Sequence, residues 1–230
     1  MHKLKVIALA SLALLCVQAQ ASLVLQGAQN FGGTGLGAAN TILTLQSPGS
    51  TTTESGSVGR TVGNPNDVRI GDFQSGSSQT QTRTISSVLV TSAADLRVVF
   101  NAVEPGGDSI SLDNLVLNIF SSTGALLFTS GAFTGINFAN TFTGAGNSGF
   151  VFALDAAQAA AAQAAAFGSG FGSNLIGLSA TASNATGGFE TFFVASGGGR
   201  IPPQEIPVPG SLALVGLALV GLATLRRLRS

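Results

Sequence analysis

The stretch SISLDNLVLNIFSSTGALLFTSGAF, residues 109–133, decides the fold class because it predicts two β-strands joined by a tight turn. Apolar residues recur in both halves, and Ser122, Thr123 and Gly124 separate them. Small polar residues followed by glycine at such a break are typical of a β-hairpin. We therefore expect strand, hairpin and strand over this segment.

Other segments show the same pattern of short apolar runs between turn residues. Residues 80–92 predict a further strand, and residues 174–196 predict a final hairpin that turns at 186–188. Residues 47–78 are rich in Ser, Thr and Gly, so they predict a long surface loop or an irregular edge. Strands are also predicted at SLVLQG (22–27), DLRVVFNAV (95–103) and GFVFAL (149–154), and turns at NFGGTGLGAAN (30–40) and EPGGD (104–108).

The fold class that these patterns predict is mostly β. Residues 22–204 are expected to form a single β-sandwich or jelly-roll-like domain. One segment, LDAAQAAAAQAAAFG (154–168), predicts a helix instead, because alanine has the highest helix propensity. Asp155 is its expected N-cap, and Gly168 follows its expected end. We expect this helix to cover one end of the sandwich, with a partner-binding helix as the alternative.

The chain begins with a segment typical of a secretory leader. Three basic residues precede an apolar run over residues 6–17, and Ala19 and Ala21 supply the small residues that a signal peptidase accepts. Residues 1–21 therefore predict a signal peptide that is cleaved after Ala21. Cys16 leaves a lipoprotein leader as the alternative.

Removal of this leader limits the chemistry that the rest of the chain can perform. The remaining chain has no Cys, His, Met, Lys, Trp or Tyr. Most acid–base and covalent mechanisms use one of these side chains, as do most zinc, copper and haem sites. We therefore expect neither an enzyme nor a cofactor, and no disulfide can form.

The formal net charge of zero conceals an uneven distribution. Two of the ten basic Lys and Arg residues lie in the leader and three lie at the C-terminus. Residues 22–225 contain five arginines and ten carboxylates, so this part of the chain carries a net charge of −5. This balance argues against a nucleic-acid partner.

The chain closes with a second hydrophobic segment, which ends in a basic cluster. Residues 210–225 are uncharged and would span about 24 Å as a helix. That length approaches the hydrocarbon thickness of a bilayer. The terminal arginines, Arg226, Arg227 and Arg229, are expected to stay in the cytoplasm. Residues 205–230 therefore predict a tail with a transmembrane helix at about 210–225 and a basic end at 226–230, which leaves the preceding domain outside the inner membrane.

The start of this tail carries a recognisable motif, Pro207-Val208-Pro209-Gly210-Ser211. With the apolar run and the arginines, it resembles the PEP-CTERM sorting signal, a tail also labelled an ice-binding protein C-terminal domain. The resemblance implies a Gram-negative bacterium that makes exopolysaccharide, and an exosortase that recognises the tail and cleaves it. Val208 stands where the family motif has glutamate, which leaves the efficiency of cleavage open.

Three residues in GGDSISLDNLVL (106–117) are candidate calcium ligands: Asp108, Asp113 and Asn114. Carboxylate and amide oxygens are the ligands that Ca²⁺ prefers. The same residue types also form hydrogen-bonded turns, so an Asx turn is the alternative.

Three functions remain open at this point. We expect a non-catalytic surface or matrix protein, associated with exopolysaccharide or biofilm. The first alternative is a carbohydrate-binding or adhesive module, although the usual sugar-stacking Trp and Tyr are absent. The second alternative is a hydrolase that uses paired carboxylates, for which Asp108, Asp113 and Asp155 would have to converge.

Overall fold

A computed structural model describes residues 23–29, 40–46, 51–76, 79–102, 104, 108–138 and 149–197. The described residues are mostly β, as the sequence predicts, and form two antiparallel sheets and one α-helix. The five-stranded sheet contains, in spatial order, β1 (Leu23–Gln29), β10 (Gly149–Leu154), β6 (Leu96–Asn101), β12 (Glu190–Ser196) and β2 (Asn40–Leu45). The seven-stranded sheet contains β4 (Val68–Gly71), β3 (Thr53–Gly59), β11 (Leu175–Ser183), β7 (Ile110–Phe120) and β8 (Leu126–Thr129), with β5 (Arg83–Thr84) beside β11 and β9 (Ile136–Phe138) beside β7.

Both sheets contribute side chains to one hydrophobic core, an arrangement consistent with a β-sandwich. Leu115 and Leu117 of β7 are fully buried, as are Phe100 of β6 and Phe192 of β12. The last two rings stack with their centroids 4.9 Å apart. Strands β1, β6 and β10 occupy the segments in which the sequence predicts strands.

The hairpin predicted within residues 109–133 is confirmed. Strands β7 and β8 pair in antiparallel fashion, and the turn between them contains Gly124 with a φ of +91°. A Cβ at this glycine would lie 2.5 Å from the Thr61 carbonyl oxygen. Only glycine therefore fits both the backbone conformation and the close approach.

The alanine-rich helix is also confirmed, as α1 (Ala156–Ala166). The Asp155 carboxylate caps its N-terminus by accepting a hydrogen bond of 2.8 Å from the Gln158 amide. Gln163 ties the helix to the rest of the domain, because its side-chain oxygen accepts a 2.9 Å hydrogen bond from the Ala93 amide. Alanine side chains, including Ala162, form its buried face.

The prediction of a loop or irregular edge over residues 47–78 is wrong for strand β3, which lies inside the seven-stranded sheet, whereas the short strand β4 does lie at the edge of that sheet. Strand β3 pairs with both β4 and β11, and Glu54, Gly56 and Val58 alternate inward along it. A Cβ at Gly56 would lie 2.7 Å from a methyl carbon of Leu45. Packing against the other sheet thus requires the glycine that made this segment resemble a loop.

The strand predicted over residues 80–92 is confined to β5. A short 3₁₀ helix, Ile85–Val88, follows it directly. The Thr84 hydroxyl accepts a hydrogen bond from the Ser87 amide, and Leu89 ends the turn with a φ of +57°. Local hydrogen bonding of this kind competes with strand pairing.

The final hairpin predicted over residues 174–196 is also wrong. Its two strands, β11 and β12, lie in different sheets. The connection between them, residues 184–189, begins with Asn184 at a φ of +59° and buries Ala185. These six residues, which include the buried Ala185, cross from one sheet to the other, although the pair Gly187-Gly188 is typical of a hairpin turn.

The chain divides into two compact units, residues 1–199 and 200–230, and every residue that the structure describes belongs to the first. The predicted leader (1–21) with Ala19 and Ala21, most of the glycine-rich turn at 30–40 and the whole predicted tail therefore lie outside the described residues. Among the residues that are described, no helix is both long and apolar enough to cross a bilayer.

Candidate functional site

The outer surface of the seven-stranded sheet carries a patch of small polar side chains on its three central strands. Alternation along each strand turns these residues away from the core, so they are exposed or half-buried. We call this patch the polar face. Its members are Thr53, Ser55 and Ser57 on β3, Ser179, Thr181 and Ser183 on β11, and Ser111 and Asn114 on β7.

Cross-strand pairing arranges the polar face in rows. Thr181 pairs with Ser55 on one side and with Asn114 on the other. The two hydroxyl oxygens of Ser55 and Thr181 lie 3.0 Å apart and share a hydrogen bond. Ser57 and Ser179 form the next row. Hydroxyl and amide groups therefore stand at regular intervals across three strands.

A shallow depression of about 200 Å³ lies within the polar face. Strand β4 closes one side of it, where Ile70 is 64% exposed and supplies an apolar wall. Gly71 brings this strand close, since a Cβ there would lie 2.1 Å from the Ser55 carbonyl oxygen. The Asp72 side chain also connects this segment to β3, because its carboxylate accepts a 3.0 Å hydrogen bond from the Ser55 amide.

The candidate calcium ligands are placed differently from one another. Asp113 is the extra residue of a β-bulge, so Asn114 takes the place opposite Thr181 and lines the depression. Asp108 is exposed and precedes β7. Among the described residues, no group of three or more His, Cys, Asp or Glu side chains is placed to hold a metal ion. Asp155, which a carboxylate hydrolase would need, caps α1 instead.

A second feature is the end of the domain where the chain passes from sheet to sheet. In the five-stranded sheet, Glu190 at the start of β12 pairs with Leu45 at the end of β2. Its neighbour Thr191 pairs with Asn101 at the end of β6. The ends of β2 and β6 and the start of β12 therefore lie side by side at one end of this sheet.

The seven-stranded sheet shows the matching arrangement. Ser183 at the end of β11 pairs with Thr53 at the start of β3 and with Ser111 near the start of β7. Three connections between the sheets therefore have neighbouring ends in both sheets: two run from the five-stranded sheet to the seven-stranded sheet, and the third runs the other way. We call this region the crossover end, and its connections are β2 to β3, β6 to β7 and β11 to β12.

One buried glutamate is associated with each connection. Glu104 lies in the β6–β7 connection, Glu54 lies in β3 after the β2–β3 connection, and Glu190 begins β12 after the β11–β12 connection. Glu54, Glu104 and Glu190 are 4%, 3% and 0% exposed. Glu104 accepts two hydrogen bonds through Oε2, at 3.0 Å from the Thr186 amide and 2.6 Å from the Thr186 hydroxyl. We call these three residues the glutamate cluster.

The electrostatics of the glutamate cluster favour a neutral Glu190. Burial is the largest cause that raises the pKa of Glu190 to about 10, and a side-chain hydrogen bond with Glu54 and the electrostatic influence of Glu54 and Glu104 act in the same direction. With this pKa, the Glu190 carboxyl is protonated at neutral pH.

The sequence contained a signal for this cluster. Glu54 stands at an inward position of an alternating strand, as does Glu190 two residues before Phe192. Sequence reasoning considered the aspartates as candidate ligands and left these glutamates aside.

Comparisons of the chain with protein-family models, with curated proteins and with solved structures find no match.

Proposed function

We propose that the chain is a non-catalytic, exported surface or extracellular-matrix protein, sorted through its C-terminal tail. The observation that carries this proposal is the tail itself: Pro207-Val208-Pro209-Gly210-Ser211, an apolar run over residues 210–225, and Arg226, Arg227 and Arg229. A leader at 1–21, cleaved between Ala21 and Ser22, would start export, and the tail would hold the chain transiently in the inner membrane.

In this proposal the partner of the tail is an exosortase, and the domain over residues 22–204 is the delivered cargo. A mostly β domain with no imidazole, thiol or amine side chain suits a structural role outside the cell. Extracellular polysaccharide is the proposed destination, and nucleic acid is not a partner. We also propose that this domain is a jelly-roll-like sandwich, which the three adjacent crossovers between the sheets support.

Intact-mass measurement of the envelope and extracellular forms tests the sorting proposal. We expect the extracellular form to lack both residues 1–21 and the terminal arginines in cells that contain the exosortase. Cells without the exosortase should keep the tail on an envelope-bound form. An extracellular species that retains residues 226–230 would contradict the proposal.

A second candidate function, carbohydrate binding, is favoured by the depression on the polar face. Its Ser, Thr and Asn side chains can donate hydrogen bonds to sugar hydroxyls and accept them, and Ile70 offers an apolar contact. The contacts are shallow, so a polymer that engages many copies suits them better than a single sugar.

Co-sedimentation of the full chain with exopolysaccharide tests this second function. The variant Ser57→Ala/Asn114→Ala removes two polar groups from the depression, whereas Thr91→Ala removes an exposed hydroxyl outside it. We expect the double variant to bind less polymer and the control to bind as the wild-type chain does. Equal binding by all three proteins would contradict a role for the depression.

A further inference from the structure

Residues 60–83 are the basic part of an otherwise acidic chain. They contain three arginines and two aspartates, whereas the rest of residues 22–225 contains two arginines and eight carboxylates. The three arginines are Arg60, Arg69 and Arg83, and all of them interact with the Asp67 carboxylate. We call them the arginine cluster. Positive charge concentrated in one place on a negatively charged domain attracts anions that the rest of the surface repels.

The Asp67 carboxylate neutralises only part of the arginine cluster. Arg60 Nε lies 2.9 Å from Asp67 Oδ1, and a terminal nitrogen of Arg69 lies 3.3 Å from Asp67 Oδ2. The same carboxylate accepts a 2.6 Å hydrogen bond from the Thr82 hydroxyl, and its side chain is only 9% exposed. Three guanidinium groups around one inward-facing carboxylate leave a net charge of +2.

Backbone contacts hold the guanidinium groups in place. Arg69 Nε donates to the Thr80 carbonyl oxygen at 2.7 Å, and Arg83 Nε donates to the Thr41 carbonyl oxygen at 2.6 Å. The Arg69 side chain nevertheless stays 35% exposed, and the Arg60 side chain 18% exposed. An arginine that is oriented before binding loses little side-chain entropy when it pairs with an anion.

The arginine cluster lies beside the depression of the polar face. Arg69 directly precedes Ile70 in β4, and Ile70 forms the apolar wall of the depression. Alternation directs Ile70 towards the polar face and Arg69 away from it, around the edge of the seven-stranded sheet. A polymer chain that lies in the depression and passes over β4 therefore contacts hydroxyl groups first and a guanidinium group next.

We propose that the depression and the arginine cluster together bind an acidic polysaccharide, with sugar hydroxyls in the depression and uronate carboxylates paired with Arg69 and Arg60. This inference rests on the second candidate function, carbohydrate binding, and names the class of polymer. The N–H donors of a guanidinium group match the two oxygens of a carboxylate. Because the chain has no Trp or Tyr to stack on sugar rings, charge supplies affinity that stacking cannot.

Equilibrium binding of two polymers with the same backbone tests the inference. Polygalacturonate carries a carboxylate on every sugar, and its fully methyl-esterified form carries none. Fluorescence anisotropy of each end-labelled polymer, titrated with the full chain in mild detergent, should show about tenfold tighter binding of polygalacturonate. The preference should disappear at about 500 mM salt, because salt screens exposed charges.

The two polymers also separate this inference from the function on which it rests. Equal binding of polygalacturonate and the esterified polymer would overturn the inference and leave carbohydrate binding intact. Binding of neither polymer would overturn both. A thymidine oligonucleotide should bind more weakly than polygalacturonate at the same salt concentration, and equal binding would overturn a site for acidic sugars.

Arg69→Gln should lower the affinity for polygalacturonate about fivefold and leave the affinity for the esterified polymer unchanged. The matched control is Arg97→Gln, because it removes the same charge from β6 in the other sheet and should bind as the wild-type chain does. Equal losses in the two variants would overturn the inference, since net charge alone would then explain binding. If Arg69→Gln does not fold, the comparison of polymers on the wild-type chain still decides.

Discussion

The Thr186 hydroxyl lies 2.6 Å from Glu104 Oε2 and donates a hydrogen bond to it across 82 positions of sequence. The Thr186 amide donates to the same oxygen at 3.0 Å. The β11–β12 connection is thereby attached to the β6–β7 connection through a single buried carboxyl. This contact explains how a Gly-Gly segment crosses between sheets instead of turning back as a hairpin.

Thr186→Val should destabilise the domain by about 1–3 kcal/mol, because it removes one donor from a buried carboxyl. Thr186→Ser keeps the hydroxyl and is the matched control. Urea unfolding at constant pH measures the difference. Equal free energies of unfolding for the Val and Ser variants would show that the hydroxyl contributes nothing.

Gly124→Ala should destabilise the chain more than Gly63→Ala does. Both glycines have positive φ, +91° and +81°, so both variants carry a backbone penalty on the order of 1 kcal/mol. Only at Gly124 would the new methyl group also meet the Thr61 carbonyl oxygen, whereas no atom lies within 4 Å at Gly63. Thermal unfolding of the two variants separates crowding from strain, and equal midpoints would contradict the close approach of the β7–β8 turn.

Asp155→Ala should weaken the start of α1 and lower the free energy of unfolding by about 1 kcal/mol. Asp155→Ser retains a side-chain oxygen that can accept from the Gln158 amide and should recover most of the loss. Helical circular dichroism during denaturation measures both variants. A serine variant as unstable as the alanine variant would argue against the capping contact.

Val208→Glu should accelerate removal of the tail, because it restores the acidic residue of the motif that the tail resembles. The matched control is Val208→Gln, because glutamine has nearly the same shape as glutamate but carries no charge. Pulse-chase measurement of the envelope-bound precursor gives the rate. If the glutamate and glutamine variants are processed at the same rate as the wild-type chain, position 208 does not limit recognition.

Local patterns were sufficient to predict some elements of the fold. The β7–β8 hairpin and α1 could be predicted because their signals, turn residues and a capped alanine run, act within about a dozen residues. Strand β3 could not be predicted in this way. Glycine is needed at position 56 because Leu45 of the other sheet packs against it, and the local sequence does not show that contact.

The candidate sites depend even more on tertiary structure. Glu54, Glu104 and Glu190 come together only because three crossovers lie side by side, a relationship that no local pattern encodes. The polar face likewise appears only when β3, β11 and β7 are known to be neighbours. Asn114 could be singled out from sequence, but its neighbour Thr181 is 67 positions away and follows from the strand register.

Cysteine labelling tests the proposed orientation of the chain in the membrane. Single cysteines at Ser169, which is exposed on the domain, and at Ser230 can be introduced into a Cys16→Ser chain in cells that lack the exosortase. In intact spheroplasts, an impermeant maleimide should label Ser169→Cys and should reach Ser230→Cys only after lysis. Labelling of both cysteines before lysis, or protection of Ser169→Cys, would contradict an external domain held by a tail whose arginines remain in the cytoplasm.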